Sequence, residues 1–114
     1  MRSWDLNSLE TPGGSRSPVV LQSQDEARAV LIGLEPGQEL GEHEVKENAF
    51  VLVVSGNARI SAGAESHEAG AGNLFFFEPG ERHAVQSDGG ARLLLFLAPW
   101  PGEGHYRGQE KASI

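Results

Sequence analysis

Among the residues whose type could do chemistry, His43 stands out, in a short polar strand that leads into a buried apolar run. Pro36-Gly37 opens the polar run that ends at His43, and Glu78-Pro79-Gly80-Glu81 leads into Arg82-His83. A neutral imidazole can ligate a metal, take a proton or accept a hydrogen bond, so its role depends on what joins it. A catalytic zinc or iron site normally takes three protein ligands, often two histidines and a carboxylate. Glu47 shares the strand parity of His43 and Val45, and could point inward if the strand ran that far. The favoured expectation is the plainer one: Lys46-Glu47-Asn48 is a charged hairpin turn in water. Glu42 and Glu44 have the opposite parity to His43 and should face away from it. Glu78, Glu81 and Arg82 are expected at the rim.

The other candidates are weaker. His67 sits in the glutamate-rich run Glu65–Glu68, where a solvated ring is expected, and His105 lies beside Tyr106 in a glycine-rich tail. No serine comes with a histidine and an acid in a triad arrangement, and there is no cysteine to act as nucleophile or thiolate ligand. The absence of cysteine also suits a reducing, cytoplasmic setting. A net charge of −7 repels phosphate backbones and anionic lipid, so nucleic acid and membrane are not expected partners. The longest apolar run, Leu93 to Pro99, is far shorter than a membrane span. Met1-Arg2-Ser3-Trp4-Asp5 shows no apolar signal region.

The elements that must position the histidines are short strands. At 114 residues the chain makes one domain. Its 15 glycines and 6 prolines punctuate apolar runs too short for helices. The runs are Val19–Leu21, Ala27–Leu34, the polar segment ending at His43, Ala49–Val54, Ala58–Ala62, Glu65–Ala69, Leu74–Phe77, Arg82–Gln86 and Arg92–Leu97. Ser55-Gly56-Asn57 and Asp88-Gly89-Gly90 are expected as hairpin turns. Residues 1–17 form an arm and linker, in which Trp4 and Leu6 should pack on this barrel or on a neighbour's. Residues 18–100 form the barrel, and 101–114 a polar tail. Eight or more strands in one small domain argue for an antiparallel sandwich or barrel, all-β throughout.

With these residues in place, the chain resembles a small single-domain cupin, a double-stranded β-helix or jelly-roll β-barrel. Gly37, His43 and Gly56 match that family's first motif, and Gly72, Gly80 and His83 match its second. Metal-binding cupins use two histidines and a glutamate from the first motif and a histidine from the second. Here Val45 and Ala49 hold the positions of the second histidine and the glutamate, so two of the four ligands survive. The resemblance implies a barrel that binds a small molecule around His43 and His83, with Val45, Ala49, Phe75 and Phe77 lining the pocket. Any divalent metal, ligated by His43 and His83 with an inward Glu47 as the carboxylate, is expected to be held weakly; the favoured expectation is two neutral barrel histidines hydrogen-bonded to water or to each other. The alternative it implies is a metal-dependent dioxygenase or isomerase with a degenerate site. A homodimer is expected, paired through a sheet face or the N-terminal arm.

Overall fold

The apolar run that begins at Ala49 does not end where its local sequence suggests. In the structure, a computed structural model that describes residues 1–24 and 26–102, it belongs to one continuous strand, Asn48–Ala62. This is β4 in the chain order β1 Val19–Ser23, β2 Arg28–Leu34, β3 Glu39–His43, β4, β5 Glu65–Gly70, β6 Leu74–Phe77, β7 His83–Gln86 and β8 Ala91–Ala98. All pairings are antiparallel. The first half of β4 lies between β8 and β6. Its second half lies between β5 and β7. One strand thus serves both sheets: β1-β2-β8-β4-β6, and β3-β7-β4-β5.

Ser55-Gly56-Asn57 is therefore not a hairpin turn but a bend inside a strand. Opposite β8, Val53 faces Leu93 and Ser55 faces Arg92, so Val54 is an extra residue, a β-bulge. The bulge switches the inward side chains from odd positions (Ala49, Val51, Val53) to even ones (Ala58, Ile60), all buried. Gly56 permits the bend. Its φ is 80°, and a Cβ there would stand 2.2 Å from the Gly90 carbonyl oxygen. Asp88-Gly89-Gly90 also closes no hairpin, since it carries the chain from β7 in one sheet to β8 in the other.

The core between the sheets is built from alternate residues, among them Val30, Ile32, Val51, Ile60, Val85, Leu93 and Leu95. One end is closed by the chain after β8. Trp100 is buried there, with the Arg28 guanidinium 4.5 Å above its ring. Glu47 is only 1% exposed, and its Oε2 accepts the Gly102 N–H at 2.7 Å. The expected solvated turn is thus overturned at Glu47: its parity aims it inward, and a buried backbone donor meets it.

Residues 1–17 lie on their own barrel. Arg92 Nη1 donates to the Leu6 carbonyl at 2.8 Å, and a Cβ on Gly33 would meet the Thr11 side chain. A short 3-10 turn, Gly14–Arg16, sits beside Gln38, whose Oε1 accepts the Ser15 N–H at 3.0 Å. Trp4 stays 41% exposed. His105 and Tyr106 lie outside the described residues, and no helix among those described is long and apolar enough to cross a membrane.

Candidate functional site

His43 and His83 are a directly opposed cross-strand pair of β3 and β7. Their meeting depends on an irregularity. Leu40 faces Val85 and His43 faces His83, so three steps along β3 match two along β7. Without that bulge, strict alternation from the inward Leu40 would turn Glu42 toward the core and His43 away from it. With it, His43 turns in, and Glu42 and Glu44 turn to the rim. There Arg82 Nε donates to Glu42 Oε1 at 2.8 Å, and Arg82 Nη1 lies 3.7 Å from Glu44 Oε1. These exposed pairs hold the rim charges away from the histidines.

The two rings have centroids 4.4 Å apart, tilted by 58°. His43 Nδ1 lies 2.7 Å from the Gly41 carbonyl oxygen, and His83 Nδ1 lies 3.0 Å from that of Glu81. A carbonyl oxygen only accepts, so each Nδ1 must carry the proton. In a neutral ring held this way, Nε2 is the acceptor.

His83 is the drier of the two. Its ring stacks on Phe77 at 4.0 Å and 7°, and only 3% of the residue is exposed. Burial, aided by the neighbouring His43 and opposed by the Glu81 carbonyl contact, holds its pKa below the ordinary 6.5. His83 is therefore neutral at pH 7. The adjoining cavity leaves about 10 Å3 for the centre of a water-sized sphere, room for roughly one water or one small polar group. Ile32, Leu40, Val51, Val85, Leu93 and Leu95 surround the imidazoles there.

Of the residues named from sequence, His43, His83 and Phe77 come together. Ala49 stands opposite Phe77 across the β4–β6 pair, fully buried, and Val45 is buried in the core; neither lines the cavity. Phe75 is half-buried at the core edge, with its ring 6.1 Å from the exposed His67. The aliphatic lining was not singled out from sequence, although Val51 and Val85 have the inward parity of their strands. Glu47 is engaged with Gly102, and no three His, Asp or Glu side chains among the described residues gather to hold a metal ion. Valine and alanine offer no lone pair, so this donor set does not fit a catalytic divalent ion.

The family of the cupin domain matches residues 30–98. No curated relative matches the chain. Among solved structures, an RmlC-like cupin protein from Desulfovibrio desulfuricans is 19% identical, with a TM-score of 0.77 over 87% of this chain and 97% of its own. An RmlC-like cupin from Shewanella frigidimarina is 25% identical, with a TM-score of 0.73 over 81% and 83%. A conserved protein with a double-stranded β-helix domain from Klebsiella pneumoniae is 21% identical, with a TM-score of 0.74 over 90% and 93%. These likenesses bear on the fold.

Proposed function

The chain belongs to the cupin family, and on that premise we propose that it is a binding barrel. Its ligand is a small, largely apolar molecule that carries one hydrogen-bond donor, a hydroxyl or an amine. One observation carries the reading. Both Nδ1 atoms are spent on backbone carbonyls, which leaves Nε2 as the one acceptor of each ring when neutral, and both rings line one apolar cavity. Pockets that bind small molecules combine apolar walls with a few placed polar groups, but usually enclose about 300 Å3 or more. This cavity admits a single polar group, so the rest of the molecule would lie at the mouth, beside the partly exposed Leu40 and His43. No metal-dependent step is assigned, because the donor set lacks the third ligand.

Phenol and anisole test this directly, since they differ by the donor alone. Phenol should shift the ring resonances of His43 and His83 saturably at millimolar concentration, and anisole at least tenfold more weakly, a gap of about 1.4 kcal/mol or more. Equal responses, or none from either, would refute the reading. Replacing His83 by Phe should abolish the preference for phenol.

A further inference from the structure

The outer face of the sheet β3-β7-β4-β5 carries a polar trough separate from the barrel cavity. Ala58, Ile60 and Val85 point into the core, so Arg59 and Gln86 point out. Arg59 stands between Glu68 on β5 and Gln86 on β7. Beside that row, Asn57 and the connection Asp88-Gly89 close a hollow of about 160 Å3, measured for the centres of water-sized spheres. The cavity at the two imidazoles offers about 10 Å3 on the same measure and lies on the other face of this sheet. Glu68 Oε1 accepts from Arg59 Nε and Nη2, both at 2.7 Å, which leaves Nη1 without a partner among the described residues. The side chains of Asn57, Gln86 and Asp88 likewise make no hydrogen bond or ion pair among the described residues. The hydrogen bond and charge of Glu68, with a smaller part from the charge of Asp88, raise the Arg59 pKa. Asp88 thus acts on the same guanidinium without touching it.

We propose that this trough binds a free polar amino acid in its zwitterionic form. Arg59 Nη1 donates to the carboxylate, the ammonium donates to Asp88, and the amides of Gln86 and Asn57 take up the polar side chain. The charges select this class. A bare anion meets Asp88 and the chain's net charge of −7, and a bare cation meets the Arg59 guanidinium. An apolar molecule would take the five polar side chains of the trough out of water with no partner in return. A zwitterion answers both signs at once and brings no net charge. At about 10–15 Å3 for a single water, the hollow has space for roughly ten, which suits an amino acid of about seven to ten non-hydrogen atoms. Arg59, Glu68 and Asp88 are all exposed, and exposed ion pairs are weak, so the affinity belongs in the millimolar range.

L-Serine is the probe, with two analogues that each lack one charge: 3-hydroxypropanoate lacks the ammonium, and ethanolamine lacks the carboxylate. Amide spectra of the full chain, titrated at pH 7 and constant ionic strength, should show saturable serine shifts at residues 57–59, 68 and 86–89, with a Kd of about 1–10 mM. Each analogue should bind about tenfold or more weakly. Added salt should weaken serine binding, since both contacts join exposed charges. Asp88→Ala should bring serine down to the level of 3-hydroxypropanoate, and Arg59→Gln to that of ethanolamine. Both residues lie in water, so the spectra elsewhere should stay as in the native chain. No saturation by about 100 mM serine, an analogue that binds as well as serine, or an unchanged preference in Asp88→Ala would each overturn the inference. The comparison of the three probes on the native chain needs no variant. Serine should leave the ring resonances of His43 and His83 unmoved, and the phenol experiment reads those rings, so the two readings fail separately.

Discussion

Replacing Phe77 by alanine should disturb stability and chemistry together, because one ring serves both. The ring is buried at 4% exposure, faces Ala49 across the sheet, and stacks on His83 at 4.0 Å. Removing a buried phenylalanine costs about 3–5 kcal/mol, a figure that already contains the stacking contact. For a domain of this size each kcal/mol lowers Tm by about 4–8 °C, so a loss of ~4 kcal/mol lowers it by roughly 16–30 °C. The second effect follows from burial, which is the largest cause of the low His83 pKa. Opening a cavity against the imidazole admits water, and the pKa should climb toward 6.5. Phe77→Leu separates the two effects. It keeps most of the volume, costs about 1–1.5 kcal/mol, and should leave His83 dry. Urea unfolding at pH 7.5 reads the stabilities, and the ring proton shifts of His83 between pH 5 and 8 read the titration. If native His83 titrated at or above 6.5, or if Phe77→Ala left its titration unmoved, the account of this ring as the shield of His83 would be wrong.

Three further outcomes are expected. Because the folded state lowers the His83 pKa, the unfolded chain binds that proton more readily; stability is complete above about pH 6.5 and falls as the pH drops through that value toward the folded pKa. The urea midpoint should decline from pH 7.5 to 5.5 and decline less in His83→Leu; a midpoint that rises on acidification would contradict the sign. Gly56→Ala should cost about 3 kcal/mol or more, from left-handed backbone and the approach to the Gly90 carbonyl, while Gly63→Ala, with open space around it, should cost about 1 kcal/mol; equal losses would remove the role given to the bend. The native chain, dialysed without a histidine tag, should hold well under one divalent metal per chain by elemental analysis. Val45→His/Ala49→Glu should be unstable in chelator, because it puts a carboxylate into a fully buried site, and should be restored by zinc. Near-stoichiometric metal in the native chain would defeat the ligand count.

How much of this was legible in the sequence depends on how far away the deciding contact lies. The strand runs were, because turn residues bracket them. The passage of β4 through Ser55-Gly56-Asn57 was not. Locally those residues suit a hairpin turn and a bulge equally well, and the choice falls to β8, whose Ala91 and Arg92 stand opposite Gly56 and Ser55. Glu47 shows the same limit. Parity aimed it inward, the general avoidance of buried charge aimed it outward, and the donor that settles it is the N–H of Gly102. The two histidines were legible as a pair through the resemblance to the two cupin motifs, yet their facing each other rests on a one-residue bulge in β3 that alternation alone would not place.

The phenylalanine run shows why residue type could not divide core from surface. Phe75, Phe76 and Phe77 are chemically alike, and alternation on β6 separates their faces without saying which face meets what. Ala49 opposite Phe77 is small enough to leave that ring room against His83, whereas Phe50 opposite Phe76 is large and outward. The cross-strand neighbours on β4 therefore divide the run. Alanine and valine on the inner face admit an aromatic ring beside the imidazoles, and phenylalanine and leucine on the outer face extend an apolar surface. The same two positions that lack metal ligands, Val45 and Ala49, contribute to the closed core against which the histidine pair sits. Valine and alanine at these two positions therefore do two things at once: they offer no lone pair to a metal ion, and they keep that wall of the core dry.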